Sequence, residues 1–188
     1  MGKIFLGLVH HPVYNKKLEV ITTSIANLDI HDIARSVATY GVEKYYLIHP
    51  LETQQQIIAE ILRFWQEGYG AQYNPDRKIA LEKVSIKKDI DGVVAEIENQ
   101  FNKPVKIIVT DAREYPNSIN YLELREKIET CKNNYLLLFG TGWGMHKELM
   151  NQADYRLLPI KGPGEYNHLS VRSAVAIILD RLCGEKWW

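Results

Sequence analysis

The stretch PIKGPGEYNHLSVRSA, residues 159–174, places two glycines and two prolines directly before a run of residues typical of a buried helix. Gly162 and Gly164 have no side chain to keep a ligand away from the backbone, and the start of a helix offers free backbone N–H groups. Asn167 and Ser170 add polar side chains at this entrance. The stretch therefore predicts one wall of a ligand site at the start of the last helix.

Two earlier stretches have a related layout. YLLLFGTGWG, residues 135–144, is an apolar strand followed by a glycine-rich loop, and the strand VKIIVT at 105–110 ends in the polar loop DAREYPNS. Ligands of open α/β sheets bind at the carboxyl ends of the strands, so we expect these loops to face one pocket. Taken alone, GTGWG also suits turns and helix caps, and DAREYPNS also suits a solvated turn.

Short apolar runs alternate with helical stretches along the chain. Strands are predicted at 3–10, 44–49, 79–86, 105–110, 135–139 and 155–160, and helices near 29–40, 52–67, 89–101, 118–131, 144–151 and 167–182. This alternation requires crossover connections, which predict an α/β fold with a mostly parallel sheet sandwiched by helices. The polar stretch at 68–78 is interpreted as a surface loop.

The first and last helices differ in their patterns. Asp29 is predicted to cap the first helix and Gly41 to end it. Arg35 lies about 140° from Ile30, which belongs to the apolar stripe, so Arg35 is on the polar flank and free to reach a partner. The last helix is apolar nearly all round, which predicts burial on a second side, and we interpret that side as a contact with another subunit.

Length and composition suit one globular domain. The chain has 188 residues, with 23 Lys and Arg against 23 Asp and Glu, so a polyanion must be bound by a local patch. Cys131 and Cys183 form no CxxC pair, and we expect both to be packing residues in a reducing compartment. The N-terminal apolar run is too short for a signal sequence or a membrane span, which favours the cytoplasm and no membrane partner.

Several common sites lack support in the sequence. The glycines at 140–144 have GxGxG spacing, and no acidic residue ends the next strand, so a dinucleotide fingerprint is disfavoured. His10 and His11 have no carboxylate or cysteine partner at ligand spacing, so no metal site is predicted. No GxSxG, P-loop or HExxH motif occurs.

Taken together, three stretches resemble the motifs of the SPOUT superfamily, the trefoil-knotted RNA methyltransferases, and in particular a less characterised branch related to tRNA guanine-N1 methyltransferase. Asp29, Arg35 and Gly41 stand at matching positions in the first stretch. The three stretches are NLDIHDIARSVATYGVEKYYLIHP at 27–50, LLLFGTGWG at 136–144 and LLPIKGPGEYNHLSVRSAVAII at 157–178.

The resemblance covers the whole chain, 1–188, as a single domain. It implies a C-terminal trefoil knot, a homodimer with the site at its interface, and S-adenosylmethionine bound by the loops. The positions that match the family's cofactor pocket are Thr110, Asp111, Gly140, Thr141, Gly142, Leu158, Ile160, Gly162, Asn167 and Leu169.

The implied chemistry is methyl transfer to RNA, either tRNA or rRNA. Arg35 matches an arginine that SpoU-like members place near the acceptor, where a guanidinium can orient a phosphate or stabilise an oxyanion. Ser170 stands where those members carry asparagine, so a ribose 2′-OH and a base nitrogen both stay open as acceptors. The candidate RNA-binding residues are Lys16, Lys17, Arg113, Arg156, Lys161 and Arg172.

Two other functions remain open from the sequence. One is a catalytically silent knotted domain that binds the cofactor or RNA and acts with a partner. The other is an unrelated α/β nucleotide-binding enzyme. Arg35 and the basic residues distinguish an active methyltransferase from the silent domain.

Overall fold

A computed structural model describes residues 2–185. The strands are β1 Ile4–Val9, β2 Val13–Tyr14, β3 Val20–Ile21, β4 Lys44–Ile48, β5 Val84–Lys87, β6 Val105–Val109, β7 Asn134–Gly140 and β8 Tyr155–Arg156. The helices are α1 Asn27–Thr39, α2 Glu52–Gln66, α3 Tyr69–Tyr73, α4 Pro75–Glu82, α5 Ile90–Phe101, α6 Tyr121–Thr130, α7 Lys147–Gln152 and α8 Val171–Cys183. Six strands form one sheet in the order β5-β4-β1-β7-β6-β8, and every neighbouring pair is parallel.

The side chains of the central strands alternate between two hydrophobic layers. In β1, Leu6 and Leu8 face α1, α2, α4, α6 and α8, whereas Phe5 and Val9 face α5 and α7. This period of two is what a sheet covered on both faces requires. The prediction of an α/β fold with a mostly parallel sheet between helices is confirmed.

A small antiparallel hairpin, β2 and β3, follows β1 and was not predicted. The Asn15 side chain accepts hydrogen bonds from the backbone N–H groups of Lys17, at 2.8 Å, and Glu19, at 3.0 Å. Asparagine commonly stabilises a turn in this way. The two strands have only two residues each, too few to show an alternating pattern in the sequence.

The prediction of a strand at 79–86 is wrong over its first half. Residues from Pro75 to Glu82 form α4, because Asn74 caps the helix by accepting a hydrogen bond from the backbone N–H of Arg77. Only the part from Val84 onward pairs in the sheet. The predicted surface loop at 68–78 likewise contains α3 and the first turn of α4.

Two predicted helix starts also differ from the structure. The cap of α1 is Ala26 without a side-chain hydrogen bond, and Asp29 lies buried inside the first turn. The last helix begins at Val171 rather than at residue 167, because Ser170 accepts a hydrogen bond from a backbone N–H of its first turn. The stop signal is confirmed, since Gly41 has φ +66° directly after α1.

The other predicted elements are present with shifted ends. The last strand is shorter than predicted, because only Tyr155 and Arg156 pair with β6. The prediction that both cysteines are packing residues is wrong for Cys131, which is exposed after α6, whereas Cys183 is partly buried. No helix among residues 2–185 is long and apolar enough to cross a membrane.

Candidate functional site

A cavity of about 890 Å³ lies at the carboxyl ends of β1, β7 and β6. The loop after β8 and the first turns of α1 and α8 complete its walls. A volume of several hundred Å³ is typical of a site for a small organic ligand. The predicted cofactor residues that line it are Thr110, Asp111, Gly140, Thr141, Gly142, Leu158, Ile160, Asn167 and Leu169.

Backbone hydrogen bonds hold the loop after β7 against the hairpin of β2 and β3. The Trp143 N–H donates to the Tyr14 carbonyl at 2.9 Å, and the Tyr14 N–H donates to the Gly144 carbonyl at 2.9 Å. Gly142 has φ +60°, and a Cβ there would lie 2.8 Å from the Tyr14 carbonyl oxygen. A side chain at this position would be too close to the Tyr14 carbonyl, so the loop would have to move. The positive φ would in addition strain a residue that has a side chain.

The loop after β6 carries an arginine–carboxylate pair. Asp111 accepts hydrogen bonds from the Arg113 Nε at 3.0 Å and Nη2 at 2.7 Å, and from the Tyr115 hydroxyl at 3.1 Å. Burial, together with the neighbouring Asp111 carboxylate, raises the pKa of Tyr115, so the phenol stays a neutral donor. The Thr110 hydroxyl donates to the Leu138 carbonyl at 3.0 Å, which fixes the end of the strand.

The loop before α8 is tied to the end of β6 by Asn167. Its side-chain amide donates to the Ala112 carbonyl at 2.6 Å, and its own carbonyl accepts a hydrogen bond from the Leu169 N–H at 3.2 Å. Ser170 caps α8 by accepting a hydrogen bond from the Ser173 N–H at 3.3 Å. Asn167 therefore holds the loop before α8 beside the loop after β6.

Gly162 and Gly164 lie in an open part of the loop before α8. A Cβ at either residue would meet no atom within 4 Å, and neither has a positive φ. Gly162 is the one predicted cofactor residue that does not line the cavity. No contact within the described chain requires glycine at either position, and the expectation that these glycines clear room for a ligand beside the backbone stays a prediction.

Arg172 connects the first turns of α8 and α1 at the cavity wall. Its Nη1 donates to Asp29 Oδ1 at 3.1 Å, and its Nε lies 3.5 Å from Asp32 Oδ2. Arg35, the predicted catalytic arginine, is exposed on α1 and is not among the residues that line the cavity. The structure therefore does not bring Arg35 and the predicted cofactor residues together in one subunit.

The other predicted RNA-binding residues fall into two groups. Lys161 forms an ion pair with Glu114, and Arg156 donates to the Met150 carbonyl at 2.9 Å, so both are engaged within the protein. Lys16 and Lys17 are exposed in the turn of the hairpin. Lys16 and Lys17 thus lie together in the hairpin turn, whereas Lys161, whose side chain is 63% exposed, is paired with Glu114.

A chain of hydrogen bonds that sequence reasoning missed leads into the cavity wall. The Thr141 hydroxyl donates to the Val9 carbonyl at 3.0 Å and lies 2.5 Å from the Thr23 hydroxyl, which lies 3.0 Å from His10 Nδ1. His10 lines the cavity, and its Nε2 is buried without a hydrogen-bond partner among residues 2–185. Burial, with a smaller effect of neighbouring His49, lowers the pKa of His10 from 6.5 to about 4.

The histidines have no metal-binding surroundings in the described chain. Within residues 2–185, no group of three or more His, Cys, Asp or Glu side chains is placed to hold a metal ion. The two arginines of the cavity wall, Arg113 and Arg172, are each paired with a carboxylate. The wall therefore presents polar groups without an unpaired guanidinium.

Comparison with known proteins identifies the family of the chain. A family model described as SAM-dependent RNA methyltransferase matches residues 3–184. The chain belongs to this family. The cofactor of this family is S-adenosylmethionine. Membership of the family excludes the alternative that this methyltransferase is an unrelated α/β nucleotide-binding enzyme.

The methyltransferase has related proteins of two lengths. It is 41% identical over 179 residues to an uncharacterised protein of Aquifex aeolicus, covering 95% of this chain and 87% of the relative. It is 37% identical over 182 residues to a tRNA (guanine-N(1)-)-methyltransferase of Oleidesulfovibrio alaskensis, covering 97% of this chain and 42% of that relative. The chain thus spans less than half of the relative that carries a substrate name.

A solved structure supports the fold. The SpoU methyltransferase AviRb of Streptomyces viridochromogenes, crystallised with AdoMet, superposes with a TM-score of 0.59 at 12% sequence identity. The match covers 97% of this chain and 57% of AviRb. At this identity the likeness shows the shared fold.

Proposed function

We propose that this protein transfers a methyl group from S-adenosylmethionine to an oxygen or nitrogen atom of a tRNA or rRNA. The observation that carries the proposal is the cavity at the carboxyl ends of β1, β7 and β6, which gathers nine of the ten predicted cofactor residues. These residues come from three segments, 110–111, 140–142 and 158–169, which are separated by 29 and 16 positions in the sequence. A common pocket for three separate loops is what binding of one shared ligand requires.

The chemistry of the wall suits S-adenosylmethionine. When bound, the cofactor supplies an electrophilic methyl group on a positively charged sulfur. Leu158, Ile160 and Leu169 offer apolar surface to its adenosyl part, and backbone groups around Gly142 lie close to the cavity. Because Arg113 and Arg172 are paired with carboxylates, neither guanidinium is free to repel a sulfonium.

The protein's own task is to align the acceptor atom with the methyl carbon and to manage the acceptor's proton. We assign Arg35 to the acceptor's phosphate or developing charge. Ser170 caps α8 at the cavity and offers a hydroxyl rather than an amide. A ribose 2′-OH and a base nitrogen both suit these groups, and the guanine-N1 name belongs to proteins more than twice as long.

A homodimer accounts for two features of the outer surface. Ile177 lies on α8 yet is outside both hydrophobic clusters of the described chain, and Arg35 is exposed away from its own cavity. We propose that α8 packs against a second subunit and that Arg35 reaches the partner's cavity. Such an interface would bury the apolar outer side of α8, as the sequence pattern requires.

We also propose that the end of the chain forms a trefoil knot. The Leu157 N–H donates to the Val109 carbonyl at 2.9 Å, and the Leu158 N–H donates to the Ile119 carbonyl at 3.0 Å. Residues 157–158 therefore lie between the two ends of the loop 110–118. A chain that continues from this position through that loop into α8 becomes knotted.

We propose that residues 1–188 fold as one methyltransferase domain, in keeping with a single six-stranded sheet. Both cysteines are free thiols, which suits a reducing compartment, and we place the protein in the cytoplasm.

A pair of glycine variants tests the cofactor site. Gly142→Ala introduces a side chain at φ +60° and 2.8 Å from a backbone oxygen, so we expect S-adenosylmethionine to bind at least about tenfold more weakly. Gly164→Ala is the matched control, because its Cβ meets nothing within 4 Å. Calorimetry measures both affinities, and we expect the wild type and the control to bind in the micromolar range.

Transfer of a labelled methyl group into total RNA lacking this enzyme's modification tests the activity. We expect the wild type and Gly164→Ala to label RNA and Gly142→Ala to label it poorly at subsaturating cofactor. Binding without any labelling would instead favour the catalytically silent domain. If calorimetry detects no binding of S-adenosylmethionine to the wild type, the proposed cofactor site itself is wrong.

A further inference from the structure

Trp143 lines the cavity and is nevertheless open to solvent. The residue is 57% exposed, although tryptophan has the largest apolar surface of any side chain. Within residues 2–185 its ring stacks on no other aromatic ring, and its indole N–H makes no hydrogen bond. Trp143 therefore offers an aromatic surface and an N–H donor to a molecule that reaches the cavity from solvent.

The backbone of Trp143 is held on both sides by closely packed glycines. A Cβ at Gly142 would lie 2.8 Å from the Tyr14 carbonyl oxygen, which also accepts a hydrogen bond from the Trp143 N–H at 2.9 Å. A Cβ at Gly144 would lie 2.7 Å from Arg113 Nη2. Both glycines have a positive φ, +60° and +102°. A side chain on a fixed backbone loses little freedom when it binds, so this loop presents a preorganised indole.

Two lysines lie beside this indole in the turn of the hairpin. Lys16 and Lys17 follow Tyr14, whose backbone is bonded to Trp143, and they precede Leu18, which lines the cavity. Both lysines are exposed, and neither forms an ion pair within residues 2–185. We call the part of the cavity that is lined by the exposed residues Leu18 and Trp143 its mouth. The hairpin thus brings positive charge next to an aromatic ring at the mouth.

These groups suit an unpaired nucleotide of RNA. Bases outside a duplex are recognised by stacking on aromatic side chains, and lysines bind the neighbouring phosphates. Glu19, the acidic residue of the turn, is bound to the Asn15 side chain at 2.7 Å rather than to a lysine, so both ammonium groups are available to phosphates. A partner protein would need a far larger apolar surface than one indole and one leucine, since a stable interface buries about 1,600 Å².

We propose that an unpaired base of the RNA substrate stacks on the Trp143 indole at the mouth of the cavity, and that Lys16 and Lys17 bind the phosphates adjoining that base. The inference rests on the proposed function, and it narrows the substrate to RNA that is single-stranded where it is bound. A base inside a duplex is covered on both faces and must leave the stack before it can contact an indole. Because Trp143 directly follows the predicted cofactor residue Gly142, the stacked base lies beside the cofactor loop.

Three substitutions of Trp143 separate stacking from apolar contact. Trp143→Ala removes the ring, Trp143→Leu keeps an apolar side chain without a π-face, and Trp143→Phe keeps a smaller ring. We expect the Ala and Leu variants to lower kcat/KM for methyl transfer into total RNA lacking this enzyme's modification about 5- to 100-fold, the loss of one base–aromatic stack, and Phe to recover most of it. Tyr73→Ala, which removes a 74% exposed ring outside the cavity, is the matched control and should match the wild type.

Cofactor affinity and subunit association exclude other uses of the indole. We expect all three Trp143 variants to bind S-adenosylmethionine within about twofold of the wild type and to sediment like it. An unchanged kcat/KM in Trp143→Ala would overturn the inference, and so would wild-type activity in Trp143→Leu. Weaker cofactor binding at unchanged kcat would assign Trp143 to the cofactor, and dissociated subunits would assign it to a contact between chains. An equal loss in Tyr73→Ala would show that the effect is not specific to the mouth.

Tryptophan fluorescence distinguishes failure of this inference from failure of the proposed function. Stacking on a base quenches an indole, so we expect the same RNA to quench emission that the wild type has and Trp143→Phe lacks, whereas a double-stranded RNA without loops leaves that emission unchanged. Absence of this quenching overturns the stacking even where methyl transfer is observed. If the wild type methylates no RNA, the proposed function fails, and the quenching still decides whether Trp143 binds an unpaired base.

The salt dependence of binding tests the two lysines. Each phosphate contact to single-stranded RNA contributes about 0.7 to the slope of log affinity against log salt concentration, so replacing Lys16 and Lys17 together by alanine should lower the slope by about 1.4. The matched control replaces Lys103 and Lys132, which are exposed at the amino ends of β6 and β7, away from the cavity. A slope that is unchanged in the Lys16 and Lys17 variant, or lowered equally in the control, would overturn the phosphate contacts.

Discussion

His10 shows how the surroundings of one residue set both its protonation and its contribution to stability. In the unfolded chain a histidine binds a proton below about pH 6.5, whereas burial and His49 lower the pKa of folded His10 to about 4. The folded state therefore binds fewer protons than the unfolded state between these values. Its stability is full above pH 6.5 and falls as the pH drops towards 4.

A comparison of wild type with His10→Asn isolates this effect. We expect the free energy of unfolding of the wild type to fall by about 3 kcal/mol more than that of the variant between pH 7 and pH 4. Urea denaturation at a series of pH values measures both profiles, and other groups contribute equally to each. Parallel profiles would show that folded His10 titrates like an exposed histidine.

Individual site residues could be predicted where they belong to a local sequence motif. They could not be predicted where their role depends on a contact with a residue that is distant in the sequence. Asn167 and Thr141 were found from the loops that carry them, and both line the cavity. His10 was considered only as a metal ligand, because its partner Thr23 is 13 positions away and no local pattern indicates that hydrogen bond. Gly162 was predicted to be a cofactor residue because it is a glycine in a matching loop. The sequence cannot show whether a Cβ at that position would contact other atoms.

One acidic side chain of α5 adds polar contacts with the sheet to the hydrophobic packing of that helix. Glu96 accepts hydrogen bonds from Lys44 at 2.9 Å and the Tyr46 hydroxyl at 2.9 Å, and it forms an ion pair with Lys87 at 2.6 Å. Partial burial acts to raise the pKa of Glu96, but the hydrogen bonds from Lys87, Lys44 and Tyr46 together lower it to about 2. One carboxylate thus joins α5 to β4 and β5.

Glu96→Gln is expected to lower the free energy of unfolding by about 1 to 2 kcal/mol at pH 7, because a neutral amide loses the charge-assisted bonds. Glu82→Gln is the control and should change it by less than about 0.5 kcal/mol, since its pair with Lys78 is exposed. The deficit of Glu96→Gln should shrink as the pH falls from 4.5 towards 2, where the wild-type carboxylate is also protonated. A deficit independent of pH would show that packing, not charge, is lost.

Elements with long periodic patterns were predictable, whereas short ones were not. The central strands and α2 have enough residues to show their period, and α2 was placed within one residue. The signal for α4 was present, since Asn74 and Pro75 are a typical helix start, but the apolar residues around Ala80 also fit a strand. The hairpin of β2 and β3 depends on Asn15 and on contacts with the loop after β7, which are remote in sequence.

The proposed dimer decides whether Arg35 and the predicted cofactor residues meet. The cavity holds the predicted cofactor residues, and Arg35 is exposed on α1 outside that cavity. Asp29, six positions earlier on the same helix, does line the cavity, so α1 turns Arg35 to a different side. We therefore expect Arg35 to act, through the proposed dimer, in the cavity of a second subunit.

Mixed dimers test this arrangement. We expect Arg35→Ala to bind the cofactor and to lose methyl transfer, and Gly142→Ala to lose cofactor binding, so each homodimer is inactive. In a dimer with one subunit of each kind, the cavity with intact Gly142 is served by the intact Arg35 of the other subunit. Random mixing in equal amounts should restore about a quarter of the wild-type rate, because half the dimers are mixed and half their sites are whole.

The same mixture gives a different result if Arg35 acts within its own subunit. Neither cavity of a mixed dimer would then hold both intact residues, and the rate would stay at the level of the separate variants. Refolding the two variants together ensures exchange of subunits, and analytical ultracentrifugation establishes that dimers are present. Activity restored in the refolded mixture, and absent when the variants are combined without refolding, therefore requires a site built from two chains.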